Sequence, residues 1–246
     1  MDPLSLFLSA LALALGGVLK GAVGAGSPVV AVPIISLLYS VPFAVSVFVL
    51  PNLLSNLWQG WQFRKHLASP RFAVIFALAG AVGAGVGSVM LAALPADLLM
   101  LIVATAVLGY IGFRLARPNW QMQKEISERL AAPVGFLGGL LQGAGGISAP
   151  VSVTFLNALK LDRPVFIATI SIFFLAMSAV QIPTLIALGI LTPERLGLSI
   201  LAFLPLFGGM PVGAWLARHF SRETFDRVML ILLATIAFKL IWSAML

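Results

Sequence analysis

Two glycine-rich stretches carry the residue types that can bind an anion. They read Gly21-Ala22-Val23-Gly24-Ala25-Gly26-Ser27-Pro28 and Gly143-Ala144-Gly145-Gly146-Ile147-Ser148-Ala149-Pro150. Each interrupts an apolar run, and a helix that restarts after an interruption presents backbone N–H groups with no intrahelical partner. Together with the helix macrodipole, such groups attract anions. Gly24, Gly26 and Ser27 in the first stretch, and Gly145, Gly146 and Ser148 in the second, are the candidate contacts. The serine hydroxyls can cap the helix or donate to a bound oxyanion. Pro28 and Pro150 suit the first helical turn, where no N–H is required. A tight crossing of helices with no ligand would ask for the same glycines.

The two stretches are related by a shift of 122 residues, from Pro28 to Pro150, which also places Gly17 on Gly139, Pro42 on Pro164 and Gln59 on Gln181. Beyond each stretch lies a run with polar side chains at helical spacing. Asn52, Ser55, Asn56 and Gln59 share one face, and Ser171, Ser178 and Gln181 form its counterpart, with Asn56 matching Ser178. Amides facing lipid are costly, so these faces point inward, either as ligands or as interhelical hydrogen bonds. Lys20 precedes the first stretch and Gln142 the second. Two readings fit Lys20: a partner for a bound anion, or a side chain that snorkels to the nearer interface. Trp58 and Trp61 either anchor a helix end at the headgroups or flank an apolar part of a ligand. Phe173 and Phe174 lie where they could receive an aromatic tail.

The elements that position these residues follow from composition. The chain has 246 residues, 61% of them hydrophobic and only 9% charged, with a mean hydropathy of +1.09. A soluble domain carries roughly 25% charged residues, so the class is all-α polytopic membrane protein. The net charge of +7 comes from cations in short loops and reads as topology, not as nucleic-acid binding. The absence of Cys excludes thiol chemistry and disulfides, and His66 and His219 both sit in cationic loops, so no metal site and no cofactor is expected. Apolar segments are predicted near residues 4–20, 29–39, 42–63, 72–93 and 98–113, and again near 134–142, 151–159, 164–188, 196–217 and 225–245. Residues 4–20 reach about 25 Å, short of the roughly 30 Å hydrocarbon core. Each half therefore opens on a hairpin of short or broken helices, although two complete spans also fit. The acidic N-terminal flank does not suit a cleavable signal peptide, so the first run is expected to be a membrane element.

The organisation predicted is two inverted-topology repeats, residues 1–117 and 133–246, joined by a polar linker at 118–132. Each repeat is a broken hairpin plus three transmembrane helices, eight to ten membrane segments in all. The linker is expected to carry a short amphipathic helix at the cytoplasmic interface, with Trp120 at headgroup level. Later in the second half the shift becomes 126, matching Gly83 to Gly209 and Gly87 to Gly213, with the extra residues in the loop at 189–195. The cation-rich loops alternate with cation-poor ones. If the former are cytoplasmic, matching loops of the two halves lie on opposite sides and both termini lie outside. All eight acidic residues fall in loops or at segment ends. A carboxylate proton relay inside the membrane is thus not expected, while backbone carbonyls at broken helices could hold Na⁺. The coupling ion stays open.

With these features together, the chain resembles the TauE/SafE family, also called the 4-toluenesulfonate uptake permease family. The resemblance rests on Gly16-Gly17…Gly21-Ala22-Val23-Gly24-Ala25-Gly26-Ser27-Pro28, on its echo Gly138-Gly139…Gly143-Ala144-Gly145-Gly146-Ile147-Ser148-Ala149-Pro150, on the polar helix around Asn52–Gln59 and on the glycine-rich later spans. It implies movement of a sulfonate, sulfite or related sulfur oxyanion across the bacterial inner membrane. The function expected is a secondary transporter, not an enzyme, for uptake of a 4-toluenesulfonate-like organosulfonate. The alternatives are a sulfite or sulfoacetate exporter, or an anion channel. The expected partners are a small anion and the lipid bilayer, with no nucleic acid.

Overall fold

A computed structural model describes residues 2–117 and 120–219. The described residues fold into helices α1 (Pro3–Val23), α2 (Ser27–Leu38), α3 (Val41–Phe63), α4 (Pro70–Ala93), α5 (Ala96–Ala116), α6 (Lys124–Gly145), α7 (Ala149–Ala158), α8 (Arg163–Ala187) and α9 (Pro193–His219), with a 3₁₀ turn at Arg64–His66 and no strand among them. Six of them, α1, α3, α4, α5, α8 and α9, are long and apolar enough to cross a membrane. The span expected at 225–245 lies outside the described residues.

Several boundaries differ from the sequence expectation. Helix α1 is not short: at 21 residues it reaches about 32 Å. It continues through Gly21, Ala22 and Val23, and Gly21 is packed against Met210 of α9, which offsets the poor helix propensity of glycine. Residues 124–132 do not form a separate interfacial helix. They are the first turns of α6, which runs on for 22 residues through Pro133. Only α2 and α7, with 12 and 10 residues, are short. The interruptions are correspondingly narrower than the glycine-rich stretches, spanning residues 24–26 and 146–148.

The glycines explain how the bundle is assembled. A Cβ on Gly17 would overlap the Leu206 carbonyl oxygen, and one on Gly21 the Met210 oxygen, both on α9. From the other side, Gly209 and Gly213 of α9 would overlap the Ala14 and Val18 oxygens of α1. The same pattern recurs between α6 and α4. Gly139 and Gly143 abut the Gly80 and Ala84 oxygens, and Gly83 and Gly87 abut the Phe136 and Leu140 oxygens. Under the shifts of 122 and 126, each contact of the first set maps onto one of the second. The two halves exchange partners: α1 of the first half packs on α9 of the second, and α6 of the second on α4 of the first. Small residues permit this approach of backbones, which supplies the van der Waals contact that holds helices together in lipid.

Two further details position α3 and α8. Pro51, inside α3, has no N–H to give the Val47 carbonyl. The Ser199 hydroxyl of α9 donates to that oxygen instead, at 2.8 Å, and accepts from the Leu50 amide at 3.1 Å. On the other side, Phe173 of α8 stacks on Phe76 of α4, with ring centroids 4.1 Å apart. At the N-terminus, Asp2 caps α1 by accepting from the Ser5 amide at 2.8 Å, and hydrogen bonds from Ser5 hold its carboxyl below the usual carboxylate range.

Candidate functional site

Lys20 lies in the last turn of α1, immediately before the first interruption, and only 1% of it is exposed. Its Nζ donates to Asn56 Oδ1 at 2.9 Å and lies 5.6 Å from the centre of the Phe174 ring. Lysine is donor-only, so it fixes the orientation of the Asn56 amide. Asn56 Nδ2 then donates to the Asn52 backbone oxygen at 2.7 Å and to Asn52 Oδ1 at 2.9 Å. That contact in turn directs Asn52 Nδ2 to Ser178 Oγ, at 3.4 Å. A one-way chain of donors thus leads from α1 through α3 to α8, crossing from the first half to the second. Chains with this polarity reinforce one another in a low dielectric.

An equivalent place in the second half is occupied by Gln142, one turn before the second interruption and 2% exposed. Its backbone oxygen accepts from Gln181 Nε2 of α8 at 3.3 Å. The corresponding bond from Gln59 to the Lys20 oxygen is not made: Gln59 is buried, and its Oε1 has no partner among the described residues. Gln142 Oε1 and the Ser27 and Ser171 hydroxyls are likewise buried without partners. A buried polar atom left unpaired costs about 1–3 kcal/mol. The O and N of each glutamine amide are free to exchange places.

The interruptions themselves work differently from the sequence expectation. Gly24 and Gly146 are left-handed, with φ of 91° and 71°. Their amides are spent closing the preceding helices, on the Lys20 oxygen at 2.7 Å and the Gln142 oxygen at 2.8 Å. Gly145 is the last residue of α6, so it lies in the helix and not in the interruption. Gly26, also left-handed at φ 94°, is the N-cap of α2, and its oxygen accepts from the Val29 amide. Neither Ser27 nor Ser148 makes a side-chain cap; Ser148 Oγ instead accepts from the Ser152 hydroxyl at 3.0 Å. Each interruption rests on the opposite half: Gly24 against Ile167 of α8, and Gly146 against Val32 of α2 and Val45 of α3.

Trp58 does not join the cluster. It is 54% exposed and sets its ring edge-on to Phe207, 6.0 Å away, on the outer surface. Trp61 is also exposed and faces an apolar groove that Leu57, Arg64, Ile172 and Leu175 help to line, and none of the polar cluster borders it. Two contacts were not anticipated. Arg163, at the start of α8, donates from Nη2 to the Gly21 and Ala22 oxygens at 3.1 and 3.3 Å, covering the C-terminal carbonyls of α1. No sequence signal separates it from an ordinary loop cation. Ser152 supports Ser148 from one turn on, and its i+4 spacing on a short helix was the signal available.

The electrostatics centre on Lys20. Asp2, Asp97, Glu125, Glu128, Asp162 and Glu194, the acids among the described residues, are all exposed. None pairs with the ammonium. Burying a charge carries an effective penalty of several kcal/mol even after relaxation. The Asn56 oxygen, the Phe174 ring face and the C-terminal end of α1 offset part of it. The cluster thus joins a cation, amide and hydroxyl donors, and helices from both halves.

A family model described as "Sulfite exporter TauE/SafE" matches residues 9–240. No curated protein and no solved structure matches the chain.

Proposed function

The chain belongs to the TauE/SafE family of membrane transporters for sulfur anions, and from that premise we propose that it carries a small sulfonate or sulfite through an anion site at Lys20. The observation that carries this reading is a buried cation without a carboxylate partner among the described residues, at the junction of α1, α3 and α8. In the loaded state the oxyanion would meet the Lys20 ammonium and draw further donors from Asn52, Asn56, Ser27, Ser171 and Ser178. Gln59, Gln142 and Gln181 would contribute from the paired faces of α3, α6 and α8. Gly26 would let the backbone approach the ligand. The two halves, 1–117 and 133–246, would act as inverted repeats, joined through residues 118–132 on the cytoplasmic side of a bacterial inner membrane. Rocking one against the other opens the site to each side in turn. The exchanged packing of α1 on α9 and α6 on α4 supports this, since it gives each half a matching surface to move along.

Uptake of an organosulfonate requires accumulation against an interior-negative potential, and so a coupling ion. A second reading, export, is favoured by the family's description and by the absence of a buried carboxylate relay among the described residues. An anion leaving a negative interior runs downhill. Protein reconstituted into liposomes with labelled sulfite or methanesulfonate separates them. Both readings predict saturable flux. Export predicts that an interior-negative potential alone drives the label out, whereas uptake predicts inward accumulation only when a Na⁺ or proton gradient is imposed. Absence of saturable flux of either anion in either direction would overturn the proposal, and unitary currents would show a channel.

A further inference from the structure

We infer that the site selects its anion by charge, taking monoanions and rejecting dianions of the same shape, and that Gln142 is the residue that sets this limit. The inference rests on the reading of Lys20 as the anion's partner. At each interruption a helix C-terminus and a helix N-terminus meet: α1 with α2, and α6 with α7. Their half-charges are of opposite sign and largely offset one another. Among the described residues, the one full charge buried in the cluster is therefore that of Lys20. Arg163, the other cation near the first interruption, is an exposed side chain already engaged with the Gly21 and Ala22 oxygens. The repeat offers a second place for a cation, equally buried and linked to the cluster through Gln181, one turn along α8 from Ser178, and the chain puts the neutral Gln142 there. The remaining groups of the cluster, Asn52, Asn56, Gln59, Ser178 and Gln181, are neutral. A monoanion leaves the loaded site neutral. A dianion leaves one negative charge uncompensated in a low dielectric, and discrimination of this kind arises from the cost imposed on the wrong ligand.

Methanesulfonate and methylphosphonate have nearly the same shape. The first stays a monoanion, while the second passes from monoanion to dianion as pH rises through neutrality. Affinities of both for the purified full-length protein would be measured by calorimetry from mildly acid to alkaline pH. The methanesulfonate values correct for titration of the protein itself. The expected result is a methylphosphonate affinity that falls, relative to methanesulfonate, in step with its remaining monoanion fraction, by at least about tenfold across the range. Gln142→Lys is expected to narrow that gap by about tenfold or more, by giving a dianion its second partner. A ratio that stays constant or rises with pH in the wild-type protein would overturn the inference while leaving the anion site in place. Failure of methanesulfonate to bind at any pH would overturn the site itself. The wild-type titration decides the matter even if the Gln142→Lys protein does not fold.

Discussion

Replacing Lys20 with Gln is expected to abolish sulfonate binding while leaving the protein folded and at least as stable as before. The side chains are of similar reach, and a glutamine amide can still donate to Asn56 Oδ1, so the chain Asn56–Asn52–Ser178 keeps its polarity. What is removed is an ammonium that is 1% exposed and, among the described residues, has no acid beside it. Without ligand, that charge is a cost, and replacing a buried charge by a neutral group is often neutral or stabilising by about 1–4 kcal/mol. With ligand, it is the anion's main partner. Loss of one member of a buried, hydrogen-bonded charge pair costs about 2–5 kcal/mol, which corresponds to about thirtyfold to several thousandfold in affinity. The expected pattern is therefore a loss of methanesulfonate affinity of at least about a hundredfold, with thermal unfolding in detergent unchanged or raised. A purely structural Lys20 would give the reverse: lower stability and retained binding.

The second large effect is on assembly. Gly17→Val or Gly139→Val should prevent the halves from closing, because the new side chain would overlap the Leu206 or the Gly80 carbonyl oxygen. A flexible side chain could yield to the intruder, but a helix backbone cannot, so the two axes must separate along their whole contact. Overpacking typically costs about 1–3 kcal/mol and occasionally more. The upper end is expected here, because Gly21, Gly209 and Gly213 share the α1–α9 seam and lose their contacts together. The internal control is Gly109→Ala or Gly112→Ala on α5, where a Cβ would meet nothing within 4 Å. There the better helix propensity of alanine should stabilise by up to about 1 kcal/mol. Thermal unfolding followed by gel filtration in detergent distinguishes the cases. The seam substitutions should aggregate or melt early, and the α5 substitutions should not.

The helical class and the need for close helix crossings were legible because hydropathy and glycine spacing report directly on lipid burial and on close helix contact. The burial of Asn52, Asn56, Gln59, Ser178 and Gln181 was legible for a related reason: amides at helical spacing in an apolar run have nowhere else to go. The roles of the glycines were harder to read. Gly17, Gly21, Gly139 and Gly143 serve helix crossings, whereas Gly24 and Gly146 end helices, and the composition of both uses is the same. A glycine just past a helix end is itself a C-cap signature, so the spent amides of Gly24 and Gly146 could have been foreseen. The length of α1 could not, because its last turn is held by α9, a partner almost two hundred residues away. Arg163 was equally hidden, since its grip on Gly21 and Ala22 depends on where α8 starts relative to α1. For Lys20 the sequence left pairing and snorkelling equally open. The tertiary arrangement draws it inward to Asn56.

The anion is expected to sit against Lys20, between the two halves. Methaneselenonate places a selenium atom where methanesulfonate has sulfur, so its position can be located by anomalous diffraction from crystals of the complex. A selenium peak is expected among α1, α3 and α8, with a selenonate oxygen within hydrogen-bond distance of Lys20 Nζ. A peak confined to the outer groove beside Trp61 and Arg64, or to the exposed helix ends, would contradict it.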